Sequence, residues 1–138
     1  MVTNILGSEL TSMPIVDNNP KTAAAAKTKR PLQFVPLSAL HAMARPFEVG
    51  AIKYGPFNWQ HQPVSSDTYV AASLRHIADF KDGKLADYET GECPLHSAMA
   101  SLAIIVDARA HGTLFDVRDK DMYQRWLDMK KKQETSNG

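Results

Sequence analysis

The stretch Ser65-Ser-Asp-Thr-Tyr-Val-Ala-Ala-Ser-Leu-Arg-His-Ile-Ala-Asp-Phe-Lys-Asp-Gly83 decides the fold. Ser65, Ser66 and Asp67 offer side-chain caps, and Gly83 offers a stop. Between them Val70, Leu74 and Ile77 recur at the steps of three and four that line one helix face. The stretch therefore reads as an amphipathic helix with that apolar stripe turned to a core. His76 and Asp79 are three residues apart on another face, where they can share one ligand.

Working outward, the helical pattern repeats. Pro94 suits the first position of a helix that runs to about Ala110 before Gly112, with Leu95, Met99, Leu102 and Val106 as its core stripe. Upstream, Ser38 can cap a helix carrying Leu40, Met43, Phe47, Gly50 and Tyr54 on its inner face. Pro46 predicts a kink or a fresh start in it, and Gly55-Pro56 ends it. A last helix from Asp119 to about Lys132 places Met122, Tyr123, Trp126 and Met129 on one side. Only Leu32 to Val35 resembles a strand, so the expected class is all-α. Residues 1 to 30 contain the run Ala23 to Ala26 and end in Lys27-Thr-Lys-Arg30; they read as a flexible arm before one domain, residues 31 to 138. Ile5, Leu6, Ile15 and Val16 leave that arm able to pack on a neighbouring subunit.

A chain of 138 residues can build a core, and pairing with further copies would help to bury its apolar surface. Its net charge of +1 argues against nucleic acid as a partner, although Lys27 to Arg30 and the terminal lysines are basic. Cys93 is the one cysteine, which excludes an internal disulfide and a four-cysteine zinc site and fits a reducing cytoplasm. No signal-peptide pattern and no apolar run of spanning length is present, so no membrane partner is expected.

Several residues can carry chemistry. His76 and Asp79 can hold a divalent cation or a water, with Arg75 beside them for phosphate oxygens, or they can form a solvated helix face. His96, Ala100, Ala103 and Asp107 fall on one stripe, which is either a groove between two polar residues or a close helix contact. Glu48, Asp87, Glu89 and Glu92 offer the oxygen ligands that Mg²⁺ and Mn²⁺ prefer, Glu48 foremost; the loop acids are otherwise simply solvated. In Gly50-Ala-Ile-Lys-Tyr-Gly-Pro-Phe-Asn-Trp59, Lys53 can neutralise phosphate, Asn58 can read a base edge and Trp59 can stack on a base. Alternatively Tyr54 and Trp59 are core aromatics under a turn.

In order along the chain, Pro36 to Leu40, Gly50 to Gly55, Asn58-Trp59, Leu74 to His76, Asp82-Gly83, Asp87 to Gly91 and His96 resemble the MazG-related dATP/dGTP diphosphohydrolases of phages and bacteria. The likeness is strongest to the branch found in phages that replace adenine by 2-aminoadenine. It implies an all-α, MazG-like bundle completed as a homodimer or homotetramer, and Mg²⁺- or Mn²⁺-dependent conversion of dGTP, with dATP or GTP as further substrates, to the monophosphate and pyrophosphate. The dGMP would supply 2-aminoadenine nucleotide synthesis in the host cytoplasm. A nucleotide sensor or scaffold of the same fold is the alternative. The wider superfamily binds metal through E-x-x-E on one helix and E-x-x-D on the next; here those positions fall on His76 and Asp79 and near Cys93 and His96. The implied metal ligands are then Glu48, His76, Asp79, Glu92 and His96, with Glu48, His76 and Asp79 catalytic. Lys53, Tyr54, Asn58, Trp59, Arg75 and Asp107 would contact the nucleotide.

Overall fold

The computed structural model describes residues 16–138, which divide into two units, one ending at Val35 and the other spanning Pro36–Gly138. In the first unit, helix α1 (Pro20–Thr28) is opened by Asn19, whose side chain accepts the Lys21 backbone N–H. Alanine is the best helix former, and Ala23 to Ala26 lie inside this helix. Ile5, Leu6 and Ile15 fall outside the described residues. Leu32 to Val35, the one stretch that resembles a strand, holds a 3₁₀ turn at Leu32–Phe34 instead. Pro31 and Pro36 flank it, and each lacks the N–H that a strand ladder would use.

The second unit contains α2 (Leu37–Tyr54), α3 (Ser66–Lys81), α4 (Pro94–Ala110) and α5 (Lys120–Ser136). Its strands are β1 (Val64–Ser65) and β2 (Leu114–Phe115), paired in parallel with Val64 opposite Leu114. The fold is all-α, as expected. Two details of α2 differ: Pro36 stands at its N-cap and Ser38 lies within its first turn, and Pro46 is carried inside one unbroken helix. Pro46 there costs one backbone donor without forcing a fresh start.

Helices α3 and α4 end in the same way. Gly83 (φ 89°) and Gly112 (φ 70°) take the left-handed conformation that glycine adopts without a Cβ penalty. The Lys84 and Thr113 N–H groups then reach back to the carbonyls of Asp79 and Ala108. After α4 this turn delivers Leu114 to β2 beside β1, so the parallel pair joins the start of α3 to the end of α4. Trp59, Ala108 and Leu114 form the core there, packed by Phe47, Val64, Ile104 and Ile105.

Where α3 meets α4, the side chains are small. Ser73 is 2% exposed; its hydroxyl donates to the Tyr69 carbonyl at 2.8 Å and lies 3.4 Å from that of Ala98. Ser97, Ala98 and Ala100 are buried on α4. This overturns the expected inner face of α3: Val70, Leu74 and Ile77 are exposed, Leu74 by 60%, whereas Tyr69, His76 and Asp79 are half-buried. On α4, Leu102 and Val106 are likewise exposed, while Leu95 and Met99 are half-buried. Leu40 and Tyr54 of α2 are exposed too. Apolar spacing identifies a stripe, but within one chain the helices approach on the faces whose small side chains let their backbones come close. No helix among the described residues is long and apolar enough to cross a membrane.

Ala98→Leu should therefore wedge α3 and α4 apart and lower stability by about 1–3 kcal/mol. A urea midpoint unchanged from that of the parent chain would show that this contact is looser than the structure indicates.

Candidate active site

Asp87-Tyr-Glu-Thr-Gly91, in the loop between α3 and α4, is the point on which the polar residues converge. Asp87 is 9% exposed. Its Oδ1 accepts the backbone N–H of Glu89 at 2.8 Å and of Thr90 at 3.0 Å, and its own N–H donates to the Glu92 carbonyl at 2.7 Å. This aspartate-centred turn gives the short loop its shape without regular secondary structure.

Three helices reach the loop. From α2, the Arg45 Nε donates to the Thr90 carbonyl at 3.3 Å while its guanidinium pairs with Glu48. Nearer the end of α2, the Lys53 ammonium donates to Glu89 at 2.7 Å. That hydrogen bond raises the Lys53 pKa and lowers the Glu89 pKa from their ordinary values. From α3, His76 brings its Nδ1 to 3.7 Å from the Asp87 Oδ2. From the first turn of α4, His96 Nδ1 lies 2.9 Å from the Glu92 Oε2.

The loop thus gathers Lys53, His76, Glu92 and His96 out of the residues expected in the site, and Glu48 is linked to it only through Arg45. The others lie elsewhere. Asp79 pairs with Lys84 at 3.3 Å, where α3 ends. Arg75 is exposed on α3, Tyr54 is exposed beside Lys53, and Asn58 is half-buried in a 3₁₀ turn, Asn58–Gln60. Trp59 is 8% exposed, with its ring against Phe47 and Phe57 at centroid distances of 5.4 and 5.8 Å. It is a core aromatic and offers no open face on which a base could stack. Asp107 accepts the indole N–H of Trp59 and the side-chain amide N–H of Gln60, both at 2.7 Å. Those bonds, Gln60 first and then Trp59, with the nearby His111, hold its carboxyl below the ordinary range. Asp107 is a strut between α4 and the 3₁₀ turn.

The expected metal set is not assembled either. Among the described residues no three His, Cys, Asp or Glu side chains converge as a cation-binding group. Glu48, Asp79, Glu92 and His96 are each engaged in a pair instead. Arg45 and Thr90 join the cluster although periodicity gave no reason to choose them. The signal that points to them is the Asp-x-Glu-Thr-Gly turn, whose carbonyls and amides must be satisfied by neighbours.

A helical domain that presents imidazoles, carboxylates and cations around one interhelical loop is equipped for phosphate chemistry. The chain belongs to the dATP/dGTP diphosphohydrolase family: the model of that family's N-terminal domain matches residues 19–118, from α1 through β2 and including the whole loop. The family is one of hydrolases. No curated protein and no solved structure matches the chain.

Asp107→Ala should cost about 1–2 kcal/mol, because it leaves the donors of Trp59 and Gln60 unpaired at a half-exposed site. The sign with pH follows from the lowered carboxyl pKa. Its stabilisation is present above the unfolded-state value of about 3.9 and is lost as pH falls through the folded-state value. Denaturation of the parent and of Asp107→Ala should therefore converge in acid, and a gap independent of pH would contradict the ionic character of the strut.

Proposed function

We propose that this chain hydrolyses dGTP, with dATP and GTP as further substrates, to the nucleoside monophosphate and pyrophosphate. The observation that supports this reading is the Asp87–Glu92 stretch, inside the region matched by the family, with two basic side chains bonded to it, the His96 imidazole on Glu92 and the His76 imidazole 3.7 Å from Asp87. The likeness of Gly50 to Gly55, Asn58-Trp59 and Leu74 to His76 to the MazZ enzymes of phages favours dGTP. On that reading the dGMP feeds 2-aminoadenine nucleotide synthesis in the cytoplasm of the host cell.

A triphosphate repels an incoming hydroxide, so the residues around the loop have to offset charge and hold a water. Arg45 and Lys53 carry the positive charge, and a phosphate can displace the carboxylates that now neutralise them. His76 is the group suited to take a proton from water. Mg²⁺ or Mn²⁺ would neutralise phosphate oxygens when bound. The described residues of one chain form no closed cage for such a metal, but a cation carried on the triphosphate keeps several waters and needs only one or two carboxylates. Glu48 and Glu92 are the carboxylates proposed for it. The absence of a three-ligand group among the described residues favours a second reading, a nucleotide sensor that binds without turnover.

We further propose that the active form is a homodimer or homotetramer, because Val70, Leu74 and Ile77 leave an apolar stripe on α3 uncovered in one chain.

Incubation with dGTP and Mg²⁺ or Mn²⁺ should release pyrophosphate, and chelation should abolish the release. Glu92→Gln should lower activity by about 10- to 100-fold. Nucleotide binding without product would establish the sensor, and full activity of Glu92→Gln would remove that residue from the metal. In sedimentation velocity, Leu74→Glu should shift the chain towards monomer. An unchanged distribution would take the α3 stripe out of the interface.

A further inference from the structure

We infer that Asp87 is the positioning residue for His76, fixing the imidazole in the tautomer that keeps the proton on Nδ1 and the lone pair on Nε2. The inference deepens the proposed function, since it rests on His76 working in the site.

Two observations carry it. The Nδ1 atom of His76 is fully buried and has no hydrogen-bond partner, and the Asp87 Oδ2 faces it at 3.7 Å. A buried ring nitrogen is seldom left unpaired, and a small rotation of either side chain brings this pair within bonding distance. Asp87, for its part, divides its oxygens. Its Oδ1 is taken by the N–H groups of Glu89 and Thr90, with the Thr90 hydroxyl at 3.5 Å, which leaves Oδ2 for His76. A carboxylate can only accept, so the nitrogen facing it must be the one that carries hydrogen. The neutral ring then has a basic Nε2, the atom that can accept a proton from water. His96 Nδ1 also faces a carboxylate, the Glu92 Oε2 at 2.9 Å, but that pair is half-exposed and joins two residues of the same stretch of chain, whereas Asp87 and the His76 Nδ1 are buried.

Asp87→Asn separates positioning from folding. The asparagine Oδ1 still accepts from Glu89 and Thr90, so the loop keeps its turn, while an amide N–H₂ replaces Oδ2. A donor facing Nδ1 forces the proton onto Nε2. Nitrogen NMR of ¹⁵N-histidine-labelled chain in alkaline buffer reads the tautomer directly, with His76→Gln assigning its signal among the five histidines. The parent should show protonated Nδ1 at His76, and Asp87→Asn should show protonated Nε2. With dGTP, Asp87→Asn should lose about 100-fold or more in kcat, the scale of a lost general base, and little in KM. Protonated Nε2 in the parent, or full turnover by Asp87→Asn with the flipped ring, would overturn the inference. Should Asp87→Asn lose its far-ultraviolet circular dichroism, the parent tautomer alone decides. A parent that shows the expected tautomer but releases no pyrophosphate would sink the hydrolase reading and leave the Asp87–His76 pairing standing.

Discussion

The close approach of α3 and α4 over Ser73 and Ala98 is the constraint on which the rest of the structure depends. A serine can be buried between two helices only if its hydroxyl is satisfied, and here the carbonyl one turn back on its own helix does so. With no bulk between them, the two helices can lie close enough for His76, less than one turn beyond Ser73, to face the loop that joins them. Larger side chains at those positions would move His76 away from Asp87. The parallel pairing of β1 with β2 ties the start of α3 to the end of α4.

The loop is then shaped by a single carboxylate. Asp87 closes the turn with one oxygen and leaves the other for the histidine, so the short segment is both a connection and a mount for functional groups. Arg45 and Lys53 hold it from α2, and each carries an acid partner, which keeps the cluster close to neutral while no phosphate is bound. Such pairs contribute little to stability at this exposure. On the proposed function, they hold cations where a polyanion can exchange for the carboxylates.

Helix ends were the readable part of this fold, because capping chemistry is local. Gly83, Gly112 and Pro94 stop and start α3 and α4 where their backbone preferences require. Leu32 to Val35 misled through its apolar side chains, because the prolines on either side remove the donors of a ladder. The placement of the candidate residues was partly readable: His76, Glu92, His96 and Lys53 lie at one loop, with Glu48 joined to it through Arg45. Trp59 and Asp107 were assigned to a ligand because an indole and a carboxylate have the same chemistry whether they meet a nucleotide or each other. Arg45 and Thr90 were not seen, since their roles come from contacts between segments far apart in the chain.

The sequence by itself determined an all-α chain, the positions at which α3 and α4 begin and end, and membership of a family that hydrolyses purine deoxynucleoside triphosphates. Those follow from backbone preferences and motif spacing, which act over a few residues. Only the tertiary structure decided which face of α3 turns inward, that Trp59 and Asp107 serve each other, and that Asp87 stands behind His76. The reason is that periodicity marks a stripe without naming its neighbour. Which stripe is buried depends on how near another helix can come, and that distance is set by small side chains on both.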